Sequence, residues 1–318
     1  FNTAYLKLSD YPFETLSSMT PYIPELMKIK FYKSVYNSVK SHIDDPNLVK
    51  ALSMHPLLVG GNPYTTTSIY LLIQYLEWKW GVYYAEGGTR SIVQAFQNLF
   101  IKKDIRYITN CEVHSIKTHK NNIKSVITSE GSYDSDIVVS NADPSYFYKN
   151  VMNTSPKKIF NKPALLKHSM GLFVFYFSTK RMYEKVKHHT IIFNKRHKEL
   201  LDDIFNRKVY IKDPSLYLHR PSATDPSNIQ NNSDSFYVLA PVANNQSDIN
   251  WEDRGKEFCN HVIDILSDTV LPDLKNNIIS SFFITPNYFE DQLNSSYGSG
   301  FGIQPIFRQS AYFRYSNK

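Results

Sequence analysis

No stretch of this chain holds the roughly 18–20 consecutive apolar residues that a helix needs to cross a bilayer. Cysteine is scarce too. Cys111 and Cys259 are the only two in 318 residues and fall in segments of different predicted type. Two free thiols in a reducing compartment are therefore expected, not a disulfide. The sequence opens at Phe1 with no charged-then-apolar signal pattern. It also lacks a P-loop, a G-x-S-x-G elbow and a G-x-G-x-x-G turn, which excludes a nucleophile-elbow hydrolase and any phosphate cradle within these residues. Gly298-Ser299-Gly300-Phe301-Gly302 is glycine-rich, but no strand pattern leads into it and no helix pattern follows.

What is present describes a folding chain. Apolar residues make up 42% and charged residues 20%, enough to bury a core in two lobes. The net charge of +7 favours an anionic partner. Lysine and arginine are dispersed and no RNA-binding motif accompanies them, so nucleic acid is not expected and a phospholipid headgroup layer is the better fit. With 23 Tyr and 20 Phe, the chain suits a membrane interface, a large apolar pocket or a ring-rich core.

The first ~85 residues read as helical. From Pro24 to Ile43, Leu26, Met27, Phe31, Val35, Val39 and Ile43 recur at helical spacing, with Lys28, Lys30, Lys33 and Lys40 supplying charge. Such a helix lies in a headgroup plane or packs on a core with its lysines in water. Ser68 to Trp80 is apolar nearly all round, as for a helix buried on both sides or facing lipid or an apolar ligand. Gly87-Gly88-Thr89 precedes a helix carrying Ile92, Val93, Phe96, Leu99 and Phe100 on one side. Short strands are predicted at 106–118, 123–129 and 136–140, so a boundary falls near residue 85.

The remainder reads as an antiparallel sheet, with strands at 171–178, 189–193, 215–220, 236–242 and 278–285 and a covering helix over about 251–271. Phe173, Phe175 and Phe177 share one face by alternation. His188, His189 and His197 are the best metal candidates. With His189 opening a strand, its neighbour should point to the opposite face, so no metal site is expected. Gly87-Gly88-Thr89 is either an ordinary turn or backbone N–H groups presented to a phosphate or flavin.

Longer motifs are more specific. The run HPLLVGGNPYTTTSIYLLIQYLEWKWGVYYAEGGT (His55 to Thr89) resembles phytoene desaturases of the bacterial and fungal type. So do Tyr5-Leu6-Lys7-Leu8 with Pro12-Phe13, VVSNAD (Val138 to Asp143), FNKRHKELLDDIF (Phe193 to Phe205) and SLYLHRPSATDPS (Ser215 to Ser227). FYVLAPV (Phe236 to Val242), TPNYFEDQLN and QSAYFR continue the match in register to the chain's end.

The resemblance implies a mixed α/β (α+β) flavoprotein related to the amine oxidases. It would have a partial Rossmann-like FAD domain, a mixed or antiparallel-sheet substrate domain and a helical membrane-associated region. On that mapping residues 1–84 form the helical region, 85–146 an interior segment of the FAD domain, 147–305 the substrate domain and 306–318 the start of a return to the FAD domain. The chain would be an internal fragment, inactive alone, because the family's G-x-G-x-x-G turn and C-terminal glycine-rich segment are not in it.

The cofactor implied is FAD, beside Gly87, Gly88 and Thr89, with the Val113 backbone toward the adenine and Asn141, Ala142 and Asp143 closing the same domain. The reaction implied is desaturation of phytoene or a related C40 carotene, with hydride passing to flavin N5 and a quinone or oxygen as electron acceptor. Tyr70, Phe173, Phe175, Phe177, Tyr217 and Tyr237 would line the substrate tunnel. Lys28, Lys30, Lys33 and Lys40 would face a membrane on its cytoplasmic side, as in a monotopic enzyme. No catalytic residue is nominated. A C30 desaturase, a carotenoid isomerase or ketolase, and a non-catalytic apolar-lipid module stay open. Arg90, Gln304 and Tyr312-Phe313-Arg314-Tyr315-Ser316 depart from the family's usual Gly, Glu and Trp-Phe-Arg-Pro-His.

Overall fold

The computed structural model describes residues 15–120, 122–154, 165–229 and 231–315. The Tyr5–Leu8 and Pro12-Phe13 motifs lie outside the described residues. The chain divides into two compact units. One draws on Phe1–Val82, Val139–Met170 and Ser299–Lys318, the other on Tyr83–Val138 and Gly171–Gly298.

The first unit is helical: α1 (Ile23–Lys28), α2 (Val35–Lys40), α3 (Pro46–Ser53) and α4 (Leu71–Trp80). The side chain of Ser34 caps α2 by accepting from Asn37 N at 3.1 Å, and Asp45 caps α3 by accepting from Asn47 N and Leu48 N, with Pro46 at the first turn. Val35, Val39, Val49 and Leu71 form a small buried cluster between these helices, with Tyr36, Ile43, Leu52 and Tyr70 packed on it.

One long helix from Pro24 to Ile43, predicted from its spacing, does not form. The chain leaves α1 through Lys30, in the left-handed region at φ 54°, and re-enters a helix only at the Ser34 cap. Val35 N donates to Thr66 O at 2.9 Å and Ser34 bridges to Thr67, so a distant segment holds the break open. Lys28, Lys30, Lys33 and Lys40 therefore do not share one helical face.

The turn after α3 is closed from far along the chain. Gly60 sits at φ 78°, and a Cβ there would lie 2.6 Å from Phe301 Cβ and 2.7 Å from Ser169 Cβ. Gly300 N donates to Met170 O, Ser169 N to Gly302 O and Gln304 N to Lys167 O, each at 2.8 Å. The Gln304 side-chain amide also donates to His168 O at 2.8 Å, a bond that an ionised carboxylate at this position cannot make. Gly60→Ala is expected to cost about 2–3 kcal/mol, from left-handed backbone strain plus overpacking, read as a loss of unfolding free energy in urea melts.

The second unit holds α5 (Thr89–Lys102) and an antiparallel meander, β1 (Val113–His119), β2 (Asn122–Thr128) and β3 (Gly131–Asp134). The 136–140 strand predicted from sequence is absent, and the chain there pairs with nothing as a strand among the described residues. The amphipathic face of α5 is exposed, with Ile92, Val93, Phe96 and Leu99 all open to solvent.

The larger sheet has the order β5-β6-β7-β4-β8, with β4 (Gly171–Thr179), β5 (His189–Ile192), β6 (Leu216–His219), β7 (Asp234–Val242) and β8 (Ile278–Ile284) all antiparallel. One face is closed by α6 (Trp251–Thr269). Phe173, Phe175 and Phe177 alternate onto that face with Phe236, Val238 and Ala240 opposite them, all buried. Phe173 meets Phe258 of α6 edge-on at 4.8 Å and Trp251 at 6.0 Å. The approach is close at Gly255, where a Cβ would lie 2.8 Å from Phe283.

Candidate functional site

The face of the larger sheet turned away from α6 carries the other half of each alternation, buried at Leu172 and Val174 and partly open from Tyr176 onward. Phe282, Tyr176 and Tyr237 are successive cross-strand partners on β8, β4 and β7, and His219 and His189 continue the row onto β6 and β5. Tyr176 stacks on Phe282 at 4.8 Å, His219 stacks on Tyr237 at 4.5 Å, and Tyr217 lies 5.9 Å from Tyr237. Four inter-strand spacings make this shelf of rings about 19 Å across. Burial raises the Tyr217 hydroxyl above the ordinary phenol range, and its hydrogen bond with Tyr237 adds to this. Burial likewise raises Tyr176. These hydroxyls stay protonated near neutrality and serve as hydrogen-bonding tips on apolar rings.

The tunnel wall expected from sequence is therefore divided. Tyr217 and Tyr237 stand on the open face, whereas Phe173, Phe175 and Phe177 point the other way into the α6 interface. Strict alternation puts the two sets on opposite sides of one sheet. Tyr70 belongs to the helical unit, packed on the α2–α4 cluster, and burial raises its pKa.

Gly87 and Gly88 adopt φ 77° and 76°, and α5 begins directly after them with no side-chain cap. Gly87 N donates to Asp225 Oδ2 at 2.9 Å. Asp225 also accepts from Ser227, first in holding its carboxyl below the usual range, with Gly87 next. The Gly-Gly-Thr turn and the RPSATDPS loop, 138 residues apart, are thus fastened together. Val113 opens β1 and is exposed. Asn141, Ala142 and Asp143 lie in the helical unit, where Asp143 caps a short turn by accepting from Tyr146 N at 2.9 Å. Beside it Ser145 Oγ bridges His168 Nε2 at 3.2 Å and Tyr315 Oη at 3.1 Å.

Arg220, from the same loop motif, forms a buried ion pair with Asp234 at 3.0 Å. Sequence reading missed it because the partner starts a different strand. The histidine expectation is also corrected. His188 lies in a bend before β5, outside strand alternation, and its ring reaches the same side as His189. His219, the cross-strand partner of His189, completes a group of three, while His197 packs against Phe193 elsewhere. Burial lowers all three, His219 to about 4, with His188 and His189 repelling its charge as well.

Residues 11–222 match the family described as flavin containing amine oxidoreductase. The chain belongs to that family. Within it, the chain is 38% identical over 322 residues to a lycopene-forming phytoene desaturase of Pseudescherichia vulneris, covering all of this chain and 65% of that protein. It is 34% identical over 326 residues to a neurosporene-forming phytoene desaturase of Rhodobacter capsulatus, covering 62% of it. The chain thus spans just under two thirds of the length of these relatives. Among solved structures, an oxidoreductase from Methanosarcina mazei aligns with a TM-score of 0.56 at 14% identity, over 87% of this chain and 63% of that one. That likeness is one of fold, a mixed α/β architecture with antiparallel sheets.

A flavin beside Gly87, Gly88 and Thr89 would meet the start of α5 and not the N–H groups of the two glycines. Gly87 N is taken by Asp225 and Gly88 N donates to Ala85 O at 2.8 Å, so what these left-handed glycines leave without a side-chain cap is the first turn of the 14-residue α5. No helix among the described residues is long and apolar enough to cross a membrane.

Proposed function

We propose that this protein, in its whole form, is an FAD-dependent desaturase of phytoene or a related C40 carotene. The supporting observation is the 38% identity to a lycopene-forming desaturase along the entire chain. The open shelf of rings suits such a substrate.

In this reading bound FAD would supply the hydride-accepting chemistry. The protein's own work is positional. Gly87, Gly88 and Thr89, at the start of α5, would border the flavin, with the Val113 backbone of the same unit beside it. Tyr176, Tyr217, Tyr237 and Phe282 lay the polyene flat and exclude water. The substrate has no polar handle and arrives from lipid, so transfer out of water contributes little and ring contacts select it by shape. The carbon losing hydride develops positive charge that the neighbouring double bonds spread, so the departing proton needs no strong side-chain base. A quinone or oxygen takes the electrons away.

Delivery from a bilayer also needs a docking surface. The end of α4 supplies one better than the broken lysine helix does. Trp78 is 81% exposed and Trp80 48%, Val82 follows them, and Lys79 Nζ lies 5.0 Å over the Trp80 ring. Exposed tryptophans beside a lysine match the headgroup level of a membrane. Trp78→Ser with Trp80→Ser is expected to cut sedimentation with mixed phosphatidylcholine–phosphatidylglycerol vesicles at least ~10-fold, since each buried indole contributes on the order of 1–2 kcal/mol. Unchanged binding would remove α4 from the membrane surface.

The function is tested by expressing the complete coding region in cells that accumulate phytoene and separating the pigments by chromatography. Desaturated, coloured products are expected. Unchanged phytoene would sink the reading, and a rearranged or oxygenated carotene would move the protein to an isomerase or ketolase.

A further inference from the structure

Three imidazoles converge at the β5–β6 edge of the larger sheet. Register places His189 directly across from His219. Arg220 N donates to His188 O at 2.9 Å, which draws the bend before β5 against the end of β6 and brings the third ring in. The ring centroids lie 4.4, 4.6 and 5.5 Å apart, and one nitrogen from each ring falls within 4.8 Å of the others. Every link in this cluster lies within one compact unit.

Two features go beyond crowding. His188 Nδ1 is held by Thr224 Oγ1 and His189 Nδ1 by Tyr217 Oη at 2.7 Å. An imidazole that binds a metal through one nitrogen characteristically has the other fixed by such a partner, as here for two of the three rings, while His219 Nδ1 is buried without one. His188 Nε2 faces His219 Nε2 at 2.8 Å. Two imidazoles sharing a zinc ion at 2.0–2.1 Å stand about 3.3 Å apart, so His188 and His219 need to part by ~0.5 Å while His189, whose nitrogen lies within 4.8 Å of theirs, closes in by at most ~1.5 Å. The group grades outward, from buried His188, with the Tyr84 ring edge-on to it at 4.7 Å, through His219 to exposed His189, which leaves an approach from solvent at His189.

We propose that His188, His189 and His219 bind one divalent transition-metal ion of borderline softness, such as zinc, at the edge of the aromatic shelf. Three neutral nitrogens without thiolate or carboxylate favour zinc, nickel or copper over calcium or magnesium. The ion would clamp the bend before β5 to the end of β6, and through the Thr224 contact to the loop whose Asp225 holds Gly87. This assignment stands apart from the carotene reading and requires no flavin.

The test is calorimetric titration of untagged, chelator-treated chain with zinc chloride, repeated with cobalt to record visible ligand-field bands. One saturable equivalent is expected, with cobalt bands of a four- or five-coordinate ion. His189→Gln, on the exposed edge where folding is least at risk, and His219→Gln should each weaken zinc at least ~10-fold, and Tyr217→Phe should do so by about 10-fold. Circular dichroism confirms that the variants fold. Absence of a saturable equivalent, or zinc binding that His189→Gln and His219→Gln leave unchanged, overturns the proposal.

Discussion

Asp234→Ala is expected to remove about 3–5 kcal/mol of stability, because it strands a charge inside the protein. Asp234 is fully buried and its carboxylate accepts from Arg220 Nε with both oxygens, at 3.0 and 3.1 Å. It also accepts from Ser222 Oγ and from Tyr183 N at 2.6 Å, while an Arg220 terminal nitrogen donates to Val186 O at 3.0 Å. The pair thus joins the start of β7, the loop after β6 and the segment leading to β5. Removing the carboxylate leaves a guanidinium with no way back to water. Removing both charges together, as Arg220→Met with Asp234→Leu, should cost less than either single change, since the desolvation penalty goes with them. Urea unfolding followed by circular dichroism reads both. A single-mutant loss below about 1 kcal/mol would contradict the assignment.

Phe173→Ala should be comparably severe, about 3–5 kcal/mol, for a different reason. Its ring is fully buried between Phe258, Trp251 and Phe283, so truncation opens a cavity that a helix anchored along its length cannot collapse to fill. Tyr237, one strand away on the open face and only half-buried, provides the contrast. Tyr237→Ala should cost ~1–2 kcal/mol in stability and show its main effect on carotene turnover in the complete protein. Equal stability losses at the two positions would mean that the open face is core as well.

That contrast marks where sequence stops being informative. Every strand of the larger sheet is legible to within two residues, because Phe, Val and Leu alternate along β4 and β7 and the 251–271 helix has clear periodicity. Alternation divides each strand into two faces but does not say which face of one strand aligns with which of the next, so sequence alone puts Phe173 and Tyr237 on one wall although register pairs Tyr237 with Tyr176. The histidine group is illegible for the same reason: His189 and His219 meet only through strand register, and His188 joins them only because its backbone bends. The lysine helix fails on a tertiary contact, the bond from Val35 N to Thr66 O, which no local pattern encodes. The RPSATDPS loop is conspicuous as a motif. Its physical work, pairing Arg220 with Asp234 and Asp225 with Gly87, belongs to partners far along the chain.

The closure of Gly60 against Phe301 has a consequence for how the molecule is made. The chain alternates between its units at 82/83, 138/139, 170/171 and 298/299. The turn at Gly60 consequently emerges from the ribosome 241 residues before the segment that packs on it (301 − 60). At ~5–20 residues per second, that interval is about 12–48 s. Through that time the first-made helices have their own small cluster but not their final lid, so synthesis rate and chaperone capacity will govern the yield of native protein.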